Sequence, residues 1–132
     1  MTTTQTNDRS GVQADGIDDR INEVRLVGRV SGAPTLVELP SGDRLVTFRV
    51  SVERAAVPGR SARSPTGQRV DSIPCTAWAG GLTRRVLQWR PGDVVEVVGA
   101  VRCRFYQAGG ATRSRVEVEA TRARIIRRAP VA

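Results

Sequence analysis

The clearest feature of this chain is alternation. From Val94 to Tyr106 (VVEVVGAVRCRFY), Val95, Val97, Gly99, Val101, Cys103 and Phe105 fall on one face. Val94 and Val98, followed by Arg102, Arg104 and Tyr106, fall on the other. A period of two with one apolar side predicts a β-strand with a buried face. The run is longer than an ordinary strand, and Gly99 at its middle lets it bend, as a small closed barrel requires.

The same period recurs four times. At Asn22–Val30, Val24, Leu26, Gly28 and Val30 oppose Arg25, Val27 and Arg29; at Leu45–Glu53, Val46, Phe48, Val50 and Val52 oppose Thr47, Arg49 and Ser51. At Val70–Trp78, Ile73, Cys75 and Ala77 point inward and send Ser72, Thr76 and Trp78 to the opposite face. At Arg113–Ala123, Val116, Val118 and Ala120 alternate with Arg115, Glu117 and Glu119. Leu36–Glu38 reads as a short edge piece between turns at Ser31–Pro34 and Pro40–Asp43, and Gln107–Ala111 as a flexible hairpin loop. Leu82–Arg90 is different: Leu82, Val86 and Trp89 have helical spacing, and Pro91-Gly92 stops the run. It predicts one short helix plugging the barrel, with Trp89 in the core. Residues 1–20 have no period and little to bury, which predicts a disordered tail. The expected architecture is all-β, a five-stranded OB-fold barrel over residues 21–128 with one helix between the third and fourth strands, and residues 129–132 as its end.

Charge narrows the partners. Among 132 residues the formal net charge is +8, and all 21 basic residues are arginine. Residues 1–23 are acidic, at net −3, so the remainder carries +11. Such a chain favours polyanions, with nucleic acid ahead of a membrane surface. The absence of histidine excludes Ser-His or Cys-His catalysis and His-ligated metals. Two cysteines cannot form a four-thiolate site; both lie on apolar strand faces, so core packing in a reducing cytosol is expected, with an inter-subunit disulfide as the alternative. No cofactor, no metal and no enzymatic activity are expected, and no apolar stretch is long enough for a signal peptide or membrane span.

The outward set on the second to fourth strands is Arg49, Thr76, Trp78, Arg102, Arg104 and Tyr106. Arginines interleaved with aromatics suit single strands, whose unstacked bases offer π-faces while phosphates follow the cations. Trp78 is out of phase with its strand's core, so it is either packed against another element or offered to a ligand. The two rings with Arg102 and Arg104 favour the ligand over a merely solvated face. Ala55–Gln68, flanked by Arg54 and Arg69, is longer than a hairpin loop; Arg54 is a candidate binding residue, and Arg60 and Arg63 are candidates to close over a bound strand. Arg113 and Arg115, at the start of the fifth strand, complete the candidate set.

Several segments in order resemble bacterial single-stranded DNA-binding proteins: Asn22–Val30, Pro40–Gly42 with Val46–Val50, Asp71–Trp78, Pro91–Gly99 and Val116–Ala120. The resemblance covers about residues 21–126. It implies non-catalytic binding of single-stranded DNA in replication, repair or recombination, with Trp78 and Tyr106 at positions where that family stacks bases and Arg102 and Arg104 on its DNA-contacting strand. It also implies a homo-oligomer, a tetramer favoured over a dimer, in the cytoplasm with the nucleoid. The sequence departs from the family at Ser72 and Ala55 or Ala56, where aromatics are frequent, and at Thr121-Arg122, where acids are common. The family's acidic, Phe-ending tip has no counterpart, so a short paralogue without tail-mediated recruitment of repair enzymes is expected. The rival readings are an RNA-binding or primosome-like OB protein and a protein–protein assembly module.

Overall fold

The computed structural model describes residues 16–55, 69–78 and 80–131. Its strands are β1 (Val24–Val30), β2 (Thr35–Glu38), β3 (Arg44–Glu53), β4 (Val70–Ala77), β5 (Val94–Ala108) and β6 (Ala111–Arg127), with one helix, α1 (Gly80–Leu87), between β4 and β5. Pairing closes a ring. β1 runs antiparallel to β5 from Val24↔Gly99 to Arg29↔Val94, and meets β3 at Arg29↔Ser51 and Val30↔Val50. β3 pairs with β4 along its length, β4 lies parallel to β6 at Cys75–Ala77, and β6 returns beside β5. β2 adds to the free part of β3 at the edge. The result is the five-stranded OB-fold barrel that the alternation predicts.

The inward faces supply the core. Val46, Val50, Val95 and Val97 are fully buried, and Leu82 and Val86 of α1 close one end of the ring. Trp89 is in the core as expected, set edge-on to Phe48 with centroids 5.5 Å apart. Two glycines permit the close approaches that closure demands. A Cβ at Gly28 would run into the carbonyl oxygen of Ser51, and one at Gly99 into that of Glu119. Gly99 also sits at a break in the β5–β6 register, so the strand bends there.

Asp93, just before β5, ties the chain's later end to the barrel. Its carboxylate accepts hydrogen bonds from the amides of Arg90 and Ala129 and pairs with Arg128 at 3.1 Å. Burial pushes this carboxyl up, but the two amides and Arg128 outweigh it and hold the group below the usual carboxylate range. No helix among the described residues is long and apolar enough to cross a membrane.

Beyond Gly99 the alternation changes meaning. β5 and β6 outrun the other strands and form a two-stranded arm, joined at a tight Gly109-Gly110 turn in place of the expected loop. On the arm, Val101, Cys103, Phe105 and Val116 still share one face, but there is no opposing sheet to bury them. Phe105 is 72% exposed and Val116 58%. Core packing therefore holds for Cys75 and fails for Cys103, which is exposed. The last strand is also longer than Arg113–Ala123, because Arg124–Arg127 continue its pairing with β5. Of the tail expected over residues 1–20, residues 1–15 lie outside the described residues.

Candidate nucleic-acid interface

The outer side of β3, β4, β6 and β5 forms one continuous face. On the arm, Arg102 lies opposite Glu117, Arg104 opposite Arg115, and Tyr106 opposite Arg113. Residues opposed in an antiparallel pair project to the same side, so these six share the outer face. Parallel pairing brings Thr76 of β4 next to Glu119 of β6, and antiparallel pairing brings Arg49 of β3 opposite Pro74. Arg49, Thr76, Arg115 and Glu117 line one concavity with Ser31, Thr35 and Thr47 at its rim.

Trp78 follows β4 directly and marks a corner of this face. It is half-buried, and the Arg104 guanidinium sits over its ring, 5.6 Å from the centroid. The contact is a cation–π pair across the gap between β4 and β5. The indole N–H is out of solvent and meets no acceptor among the described residues. Past the ring runs a groove walled by Leu36, Leu87 and Thr83, with Arg44 and Arg84 at its sides. Those two arginines were invisible to the period argument. Arg44 lies at the very start of β3 and Arg84 on the helix, and only the packing of α1 against β3 and β4 brings both to Trp78.

Acids stand among these cations. Glu117 is on the outer face, as the alternation with Val116, Val118 and Ala120 predicts, but it is buried, because β6 is covered there by β4 and by the arginine side chains. Its carboxylate accepts a hydrogen bond from Thr76 Oγ1 at 3.2 Å and pairs with Arg104 at 2.8 Å and Arg115 at 3.4 Å. Thr76 is correspondingly buried rather than presented to solvent. Glu119 pairs with Arg102 at 2.8 Å and reaches Arg104 at 3.4 Å.

A model of the single-strand binding protein family matches residues 21–126. The chain belongs to that family. Among solved structures it is similar to the chain titled "Plasmodium falciparum SSB complex with ssDNA", at 19% identity and a TM-score of 0.63, over 84% of this chain and 97% of that one. The likeness carries the OB-fold. No curated protein matches the chain.

In this member of the single-strand binding family, the candidate residues fall into three groups. Trp78, Arg102, Arg104 and Arg115 meet around Glu117 and Glu119, and Tyr106 with Arg113 extends the same face along the arm. Arg49 stands at the opposite side of the concavity, donating to the carbonyl and hydroxyl of Ser72. Arg54 is elsewhere: it pairs with Asp71 at 2.8 Å at the far end of β3, and its hydrogen bond holds that carboxyl below the usual range. Arg60 and Arg63 lie outside the described residues. Glu96 is clasped between Arg25 and Arg124 on the outer side of β1, β5 and β6, and those hydrogen bonds lower its pKa.

Proposed function

We propose that this protein binds single-stranded DNA on the outer face of β3, β4, β6 and β5, without catalysis and with little sequence preference. Membership of the single-strand binding family supports the activity. The observation that carries the site is the sharing of one face by Trp78, Tyr106 and five arginines: Arg49, Arg102, Arg104, Arg113 and Arg115. Bases stack on the two rings while phosphates pass from one guanidinium to the next. Such a face selects single strands because a duplex hides the base surfaces that the rings would take. The processes served are replication, repair or recombination.

The test is titration with oligo(dT), followed by tryptophan fluorescence. Neutralising about six phosphates would give a log–log salt slope of about −4. Trp78→Ala and Tyr106→Ala are each expected to weaken binding by about 1–3 kcal/mol, the general magnitude for base–aromatic stacking. Wild-type affinity in both variants at physiological salt would remove stacking from the mechanism. Competition by an RNA of matched length separates DNA from RNA preference. We further propose that the chain works as a homo-oligomer, a tetramer rather than a dimer. The exposed strip of Val101, Cys103, Phe105 and Val116 supports this, being a surface that self-association would cover. Light scattering on the purified chain decides between a monomer, a dimer and a tetramer.

A further inference from the structure

We infer that Glu117 and Glu119 are the protein's own occupants of its phosphate sites, holding Arg102, Arg104 and Arg115 in ion pairs that a phosphodiester must replace. This rests on the proposed single-strand reading of the same face. A carboxylate and a phosphate offer a guanidinium the same chemistry, anionic oxygens spaced to accept its forked N–H groups. Three guanidiniums here face two carboxylates, so only one positive charge of the cluster is uncompensated. By contrast, among the described residues Arg113 meets no acid and Arg49 meets only Ser72. The face is thus free at its two ends and self-occupied at its middle.

The two acids differ in how readily they yield. The Glu117 side chain is 2% exposed and is also held by Thr76, so giving up its cations would strand a buried charge. Glu119 is 29% exposed and can take water in place of Arg102 and Arg104. Glu119 is therefore the exchangeable partner and Glu117 the fixed one. Arg104 connects them to stacking. While both acids hold it, its guanidinium covers one side of Trp78, and a base reaches that side only when Arg104 swings towards a phosphate. Affinity is set by this internal competition.

Oligo(dT) titrations of the full chain across a range of salt test the inference. Glu119→Gln is expected to tighten binding roughly three- to tenfold and to steepen the log–log salt slope by about 1, since one more guanidinium is open to phosphate. Glu117→Gln keeps a hydrogen-bond acceptor for Thr76 and is expected to act in the same direction; thermal melting shows whether it remains folded, and Glu119→Gln decides if it does not. Glu96→Gln is the control, because it adds the same charge and releases Arg25 and Arg124 in the first half of β5, where that strand pairs with β1, rather than on the arm. Tightening confined to the Glu117 and Glu119 variants supports the inference. Unchanged or weaker binding with a wild-type slope reduces the two acids to braces of the sheet and overturns it. Equal tightening by Glu96→Gln attributes the effect to net charge and also overturns it. If the wild-type protein itself does not bind oligo(dT) at low salt, the single-strand reading has failed, and the inference falls with it.

Discussion

The two halves of β5 carry the same alternation to opposite ends. From Val94 to Gly99 every second residue is buried against the far wall of the barrel, and the strand is a stave. From Val101 to Ala108 the same period continues, yet Val101, Cys103 and Phe105 face solvent on one side while Arg102, Arg104 and Tyr106 carry the candidate site on the other. Alternation reports that a segment is extended and two-faced. It does not report whether anything lies opposite the apolar face. That depends on where the neighbouring strands stop: β1 leaves β5 at Gly99, and β4 leaves β6 at Val118, the partner of Val101.

The largest test of this contrast is at the pivot. Gly99→Ala puts a methyl group against the Glu119 carbonyl, and the obstacle is backbone rather than a movable side chain. A loss of about 3 kcal/mol or more is expected, read by denaturant unfolding. A stability like wild type would mean that the two halves are not joined at a fixed close approach. The next effect lies at the foot of the stave. Asp93→Asn removes a buried negative charge from Arg128 and one of two good acceptors, at a cost of about 2 kcal/mol.

Asp93 also fixes the sign of an acid effect. Its carboxyl and that of Glu96 titrate lower in the folded chain than in the unfolded one. The folded state then binds fewer protons between the two values, so their contribution is complete above the ordinary carboxylate pKa of about 4 and disappears as pH falls through the lowered one. Melting temperature is expected to fall from pH 6 towards pH 3, with a smaller fall in Asp93→Asn. An equal fall in the variant would take Asp93 out of the acid response.

The smallest effects belong to the arm, and they sharpen the contrast by their size. Phe105→Ser is expected to change the stability of the monomer by less than about 0.5 kcal/mol, as for other exposed positions, whereas a buried aromatic would cost several times more. A thiol reagent separates the two cysteines without any mutation. Burial, with the Glu117 charge adding to it, pushes the Cys75 thiol up to about 12, while Cys103 is exposed on the arm. One thiol per chain should react in the native protein and the second only after unfolding, and Cys103→Ser should abolish the native reaction. Where self-association covers the arm, dilution to monomer should restore the reaction.

Much of the architecture was legible because it depends on local periodicity. Val46, Phe48 and Val50, or Leu82, Val86 and Trp89, declare strand and helix by spacing alone, and their burial follows from having one apolar face. The rings and arginines of the candidate site were legible for the same reason, since Trp78, Arg102, Arg104 and Tyr106 sit out of phase with the core. What spacing could not express was contact between strands. The burial of Glu117, its grip on Thr76, Arg104 and Arg115, the cover of Arg104 over Trp78, and the groove with Arg44 and Arg84 each join residues far apart in the chain.

A small barrel with a cationic, ring-bearing outer face follows from the order of residues alone, because side-chain alternation comes from the backbone geometry of each strand in isolation. Which apolar residues have a core to enter, and which cations already have a partner, is settled by how the strands assemble. Both depend on the lengths at which strands cease to be neighbours, and no single strand carries that information.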